Sequence, residues 1–122
     1  MTATEQRSVH DPVAVEQKIE ETKNRIAKGV TIITEAEKKA KAARTKFDFE
    51  FALAMGRATG PATSHKYQAT VDTIEWRKIA EGAEIAFKHA ERTAHALDKE
   101  LFAWQSILNS VRSMYSAVGV RG

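Results

Sequence analysis

The sequence predicts an all-α protein, a long antiparallel helical hairpin of coiled-coil-like character that assembles into a bundle by oligomerisation. Three observations carry this expectation. Apolar positions recur in an uninterrupted 4,3 pattern from Ala83 to Val118: Ala83, Phe87, Ala90, Ala94, Leu97, Leu101, Trp104, Leu108, Val111, Tyr115, Val118. A less regular repeat of the same period occupies the first half of the chain. Between the two lies the only strong internal turn signal, the stretch Gly56 to Ser64 with two Gly, one Pro and three hydroxyl residues. Spacing of this kind places side chains on one seam of a helix.

The elements follow in order. Residues 1–10 are polar and unpatterned and are expected to form a disordered terminus. Asp11 supplies an N-cap and Pro12 the first helical position, where its missing N–H costs nothing. Helix one is predicted over 12–56, its seam running Val15, Ile19, Thr22, Ile26, Val30, Ile33, then Ala36 or Glu37, Ala40, Ala43, Phe47, Phe51, Ala54. The turn is assigned to 57–63. Helix two is predicted over 64–118, with Thr63 or Ser64 as its cap and a tail at 119–122. Tyr67, Val71 and Ile74 sit on a different seam from Ala83 onward, so a slip in phase is expected near Ile74 to Ile79. Gly29 and Gly82 fall inside the predicted helices. With no Pro or polar turn cluster beside them they are expected to bend the helices, the alternative being breaks that fold the chain into a compact four-helix bundle.

One loop centred near residue 60 pairs residue i with about 120 − i if both helices rise about 1.5 Å per residue. Ile19 then faces Leu101, Ile26 faces Ala94, Ile33 faces Phe87 and Ala40 faces Ala80, so the two seams meet. Helix two overhangs the start of helix one, exposing Val111, Met114, Tyr115 and Val118. Phe49 and Trp76 also lie off the shared seam. A single seam buries too little apolar surface to offset the chain entropy of two long helices, so a homo-oligomer is expected, with these six residues as candidate partner contacts.

Composition sets the class. The chain of 122 residues reads as one ordered domain, 43% hydrophobic and 29% charged. It has no Cys, which removes disulfides, thiolate metal sites and Cys nucleophiles and suits a reducing compartment. No apolar run approaches the roughly 20 residues of a membrane span, and the polar start MTATEQRSVHD lacks the apolar core of a signal peptide. A soluble cytoplasmic protein with no membrane contact is expected.

Catalytic chemistry is argued against by elimination. His10, His65, His89 and His95 form no helical metal pair, so no metal is expected. The loop GRATGPATSHK lacks phosphate-loop spacing and no strand precedes it. Glu84, Glu91 and Asp98 recur every seven residues, and with Glu81 they read as a charge stripe rather than an acid–base pair. Neither enzymatic activity nor a cofactor is expected.

Charge is distributed unevenly. Residues 38–78 hold nine Lys/Arg and four Asp/Glu, whereas the flanking segments are acidic or neutral. The cations are Lys38, Lys39, Lys41, Arg44, Lys46, Arg57, Lys66, Arg77 and Lys78. Clustered around the hairpin tip, they are candidate contacts for nucleic-acid phosphates in a mode that reads no sequence. A second row of Lys88, Arg92, His95 and Lys99 follows helical spacing and reads as solvated surface.

The stretch from Glu35 to Val118 ends in a pattern of Leu101, Ser106, Arg112 and Tyr115 after an aromatic-rich helix and a Thr-containing turn. In this it resembles small all-helical proteins of actinobacterial bacteriophages. Such proteins are often encoded beside recombination and replication genes, so the resemblance implies an accessory role there, in the cytoplasm of an infected host. It carries over no functional residue. Three roles follow as expectations: an oligomeric accessory protein acting through DNA or protein contacts, a module that inhibits or redirects a phage or host protein, and a purely structural assembly protein.

Overall fold

The computed structural model of the chain describes residues 11–121, with side chains described through residue 117. The terminus at residues 1–10, the side chain of Val118 and Gly122 lie outside the described residues. Among the described residues there are three helices: α1 over Pro12–Arg57, α2 over Ala62–Asp72 and α3 over Ile74–Arg121. α1 packs against α3, so the chain is an all-α helical hairpin. The described residues cluster into two compact units, one formed by 11–30 with 92–121 and the other by 31–91.

The start of α1 is held as its sequence dictates. Asp11 Oδ1 accepts from the Val13 N–H at 3.0 Å, and the Asp11 carbonyl accepts from Val15 at 3.0 Å. Gly29 and Gly82 both lie within unbroken helix. α3 runs to Arg121, three residues beyond the expected boundary.

In the first unit the core is Val15, Ile19 and Leu108, with Leu101, Trp104 and Ile107 packed against it. Thr22, also buried, satisfies its hydroxyl by donating to the Lys18 carbonyl at 2.7 Å. Two ion pairs cross between the helices: Arg25 Nη1 to Glu100 Oε2 at 3.3 Å and Arg112 Nη2 to Glu16 Oε1 at 2.9 Å. Backbone counting places His95 opposite Arg25 and Trp104 opposite Glu16, so each pair reaches further along α3 than the count allows. The reason is geometric. Side chains of an α-helix lean toward its own N-terminus, so those of α1 lean away from the loop and those of α3 toward it, and an α1 residue meets an α3 residue further along the chain than its backbone opposite. Of the residues expected to overhang, Val111 is 5% exposed and so buried, whereas Met114 and Tyr115 are exposed.

The second unit has the opposite size distribution. Its buried positions are Ala40, Ala54, Ala69, Thr73, Ala80 and Ala90, all small. Its large apolar residues are half-buried, as Phe47, Phe51, Trp76 and Phe87, or stay outside, with Tyr67 75%, Val71 72% and Ile85 68% exposed. Ala69, Thr73, Trp76 and Ala80 extend the 4,3 seam of α3 back into α2, so the expected slip in phase is absent: the seam is held by three small residues and half-buried Trp76, while Tyr67, Val71 and Ile74 are exposed on another face. On α1, the seam passes through half-buried Gly29 while Val30 is 62% exposed, which corrects the expected placement of Val30.

The predicted second helix is divided at Thr73. Its backbone, at φ −111° and ψ 13°, leaves helical geometry, and its hydroxyl donates to the Ala69 carbonyl at 2.7 Å beside its own N–H at 3.1 Å. A Thr hydroxyl competing for the carbonyl one turn back bends a helix. Arg77 N–H donates to Thr73 O at 3.0 Å, so α3 resumes at once.

Candidate functional site

The loop end belongs to the second unit and is built by the last turn of α1, residues 58–61 and the first turns of α2. Gly60 has φ +82°, a left-handed conformation that side chains with a Cβ rarely adopt. Side chains of α2 then tie the loop down. The Gln68 amide donates to the Thr59 carbonyl at 2.6 Å and accepts from the Thr59 N–H at 3.2 Å. His65 Nε2 lies 3.0 Å from the Gly60 carbonyl, a bond that requires the proton on that nitrogen. Ser64 donates to the Pro61 carbonyl at 2.8 Å and accepts from Gln68 at 3.0 Å. The expected capping by Thr63 or Ser64 is therefore corrected: α2 begins at Ala62 behind Pro61, with no side-chain cap.

The nine candidate cations are not equivalent. Lys38 pairs with Glu35, Lys41 with Glu37, Arg44 with Asp48, Lys46 with Glu50, Arg77 with Glu81 and Lys78 with Glu75, each within one turn of its own helix. Among the described residues Lys39, Arg57 and Lys66 have no such ion-pair partner. From Phe51 to Val71 the chain contains no Asp or Glu. Arg57 and Lys66, both exposed, flank the loop inside that carboxylate-free segment. Helical spacing of three and four residues is the signal that sets Arg57 and Lys66 apart, since neither has an Asp or Glu at those positions, whereas Lys39 lies four residues from Glu35, which pairs with Lys38 instead.

The candidate partner contacts fall apart in the same way. Phe49 is exposed and Trp76 half-buried, and Lys46 brings them together, its Nζ 5.8 Å from the Phe49 ring centre and 5.0 Å from that of Trp76. Met114 and Tyr115 are exposed in the other unit, where Val111 is buried. Val118 lies where side chains are not described.

A feature not legible in the residue pattern is a groove of about 790 Å³ in the second unit. Its floor includes Ala40, Phe47, Phe51, Thr73 and Ala80, with Ile85 at one side. Phe47 and Phe51 stack at a tilt, ring centres 6.0 Å apart, and Arg44 Cζ lies 5.6 Å from the Phe47 ring. The groove exists because the Ala and Thr seam residues are too small to fill the space between the helices.

Elsewhere, Lys88 is bracketed by Glu84 at 3.9 Å and Glu91 at 3.7 Å, so part of the acidic stripe serves local pairing. Among the described residues no group of three or more His, Cys, Asp or Glu is placed to hold a metal ion. Among the described residues no helix is long and apolar enough to cross a membrane. Comparison with models of known protein families, with curated proteins and with solved structures finds no match to this chain.

Proposed function

We propose that this chain is a non-enzymatic binding protein of phage type whose loop end contacts the phosphate backbone of nucleic acid as an accessory in DNA recombination or replication. The observation that carries the reading is the carboxylate-free segment from Phe51 to Val71, with Arg57 and Lys66 lacking an ion-pair partner among the described residues. Cations of this kind meet phosphates without first giving up a carboxylate. Gln68, His65 and Ser64 brace the loop between them, which lowers the entropy lost when a ligand is held. The six paired cations are each matched by a carboxylate and add no net long-range charge, but exposed ion pairs are worth only about 0–1 kcal/mol and can exchange for a phosphate contact at close range.

The test is a titration of labelled single- and double-stranded DNA at about 50 and 200 mM salt. Binding is expected to weaken with salt and to fall sharply in an Arg57→Glu/Lys66→Glu variant. A Lys18→Glu/Lys23→Glu variant, equal in charge change but altering residues paired to Glu21 and Glu20, is expected to lose much less. A second reading, a module that engages a protein, is favoured by exposed Phe49 with Lys46 across its ring. A Phe49→Ala variant that loses capture of a defined protein while DNA binding stays absent selects that reading.

A further inference from the structure

The exposed aromatic side chains stand in different electrostatic settings. Phe49 already has Lys46 near its ring, and Lys46 in turn pairs with Glu50 at 3.0 Å. Phe102 and Tyr115 belong to the other unit. Tyr67 is the one exposed aromatic residue of the carboxylate-free segment from Phe51 to Val71, and it follows Lys66 directly in α2. It is 75% exposed, and among the described residues no second ring and no cation stacks on it. Nor is it an isolated surface residue. Val71 and Ile74, four and seven residues on, are also exposed and share its helix face.

The direction of the ring follows from helix geometry. Helical side chains lean toward the N-terminus of their own helix, and α2 has its N-terminus at the loop. Tyr67 therefore leans toward the segment that Gln68, His65 and Ser64 hold in place. Arg57 and Lys66 flank that same segment, without an ion-pair partner among the described residues. Cations with no carboxylate near them in sequence suit the phosphates of any nucleic acid. A solvated ring beside them discriminates between forms. Bases in a duplex are stacked on one another and present only their edges, whereas unpaired bases offer an aromatic face along with each phosphate. An acidic protein would satisfy the cations but brings no flat face with each negative charge.

We infer that the loop end takes single-stranded nucleic acid in preference to duplex: Arg57 and Lys66 hold phosphates while a base stacks on Tyr67, with Val71 extending the apolar surface beyond the ring. This rests on the nucleic-acid reading above and adds to it the form of nucleic acid bound and the residue that selects it.

The test titrates the full chain with three labelled probes of equal length at the same salt concentration: oligothymidylate, an abasic strand and a duplex. Wild type is expected to bind oligothymidylate most tightly. Tyr67→Ala places the best helix former at an exposed helical site. It is expected to weaken oligothymidylate binding about 5–100-fold and to leave the abasic strand and the duplex unchanged. Tyr67→Phe keeps the ring face and is expected to match wild type. Neither variant is expected to alter the slope of log affinity against log salt, because no phosphate contact is removed. Arg57→Glu/Lys66→Glu, by contrast, is expected to weaken all three probes. Equal wild-type affinity for oligothymidylate and the abasic strand, or tighter binding of the duplex, overturns the inference without recourse to any variant. Binding that needs Arg57 and Lys66 but is indifferent to Tyr67→Ala also overturns it, assigns the Tyr67 face to a protein contact and leaves the nucleic-acid reading standing. No binding of any probe at about 50 mM salt overturns both.

Discussion

The side-chain amide of Gln68 brackets the backbone of Thr59, donating to its carbonyl at 2.6 Å and accepting from its N–H at 3.2 Å. One residue of α2 thereby holds the middle of the interhelical loop. Gln68→Ala removes both bonds and the one to Ser64 at a half-buried site, and is expected to cost about 1–1.5 kcal/mol. Local opening releases the Thr59 amide, so hydrogen exchange at Thr59 is expected to accelerate roughly tenfold while amides of the α1 interior are unchanged.

Gly60 makes a companion case. At φ +82° an L side chain is strained whatever room surrounds it, and the nearest side-chain atom, Ser64 Oγ, is 4.0 Å from where a Cβ would sit. Gly60→Ala is expected to destabilise by about 1–2 kcal/mol, read as a lower denaturant midpoint with an unchanged slope.

Gly29 and Gly82 give the opposite sign. Both are helical, and a Cβ at either meets nothing within 4 Å. Replacing each with Ala removes unfolded-state freedom without a clash and is expected to stabilise by about 0.5–1 kcal/mol. Thermal unfolding of the single and double variants checks this, and the two gains are expected to add.

Leu108 packs with Val15 and Ile19 in the only cluster built from large buried residues among those described. Truncation to Ala leaves a cavity between two helices and is expected to cost about 2–5 kcal/mol. Denaturant unfolding of Leu108→Ala against wild type measures it. The ion pair nearby is weaker: Glu16 and Arg112 are half-exposed at 2.9 Å, so Arg112→Glu is expected to cost under about 1 kcal/mol, and the reciprocal Glu16→Arg/Arg112→Glu exchange to recover most of it.

The two long seams were legible because burial of a helix face imposes its period directly on the sequence. Val15, Ile19, Leu97, Leu108 and Val111 are all buried where the 4,3 repeat puts them. The division at Thr73 was not legible, since a single Thr is compatible with a helix and its hydroxyl bends the backbone only when it turns to the Ala69 carbonyl. The seam through Ala69, Thr73, Trp76 and Ala80 was obscured for a related reason: hydrophobicity points to Tyr67, Val71 and Ile74, while three of the four seam positions are held by Ala and Thr. The segment charge total located the cations but hid their state. Arg44 with Asp48 and Arg77 with Glu81 are neutralised within one turn, and the spacing that shows it was present in the sequence. The bracket by Gln68 depends on loop geometry that no residue pattern encodes.

The most direct test of the loop-end reading is the slope of log affinity for DNA against log salt concentration, measured for wild type and Arg57→Glu/Lys66→Glu. Each cation that neutralises a phosphate contributes about 0.9 to that slope on duplex and about 0.7 on single strands. The loop-end account predicts salt-sensitive wild-type binding and a slope shallower by about 1.4–1.8 in the variant. Equal slopes and affinities for the two proteins, or no binding by wild type at about 50 mM salt, would contradict it.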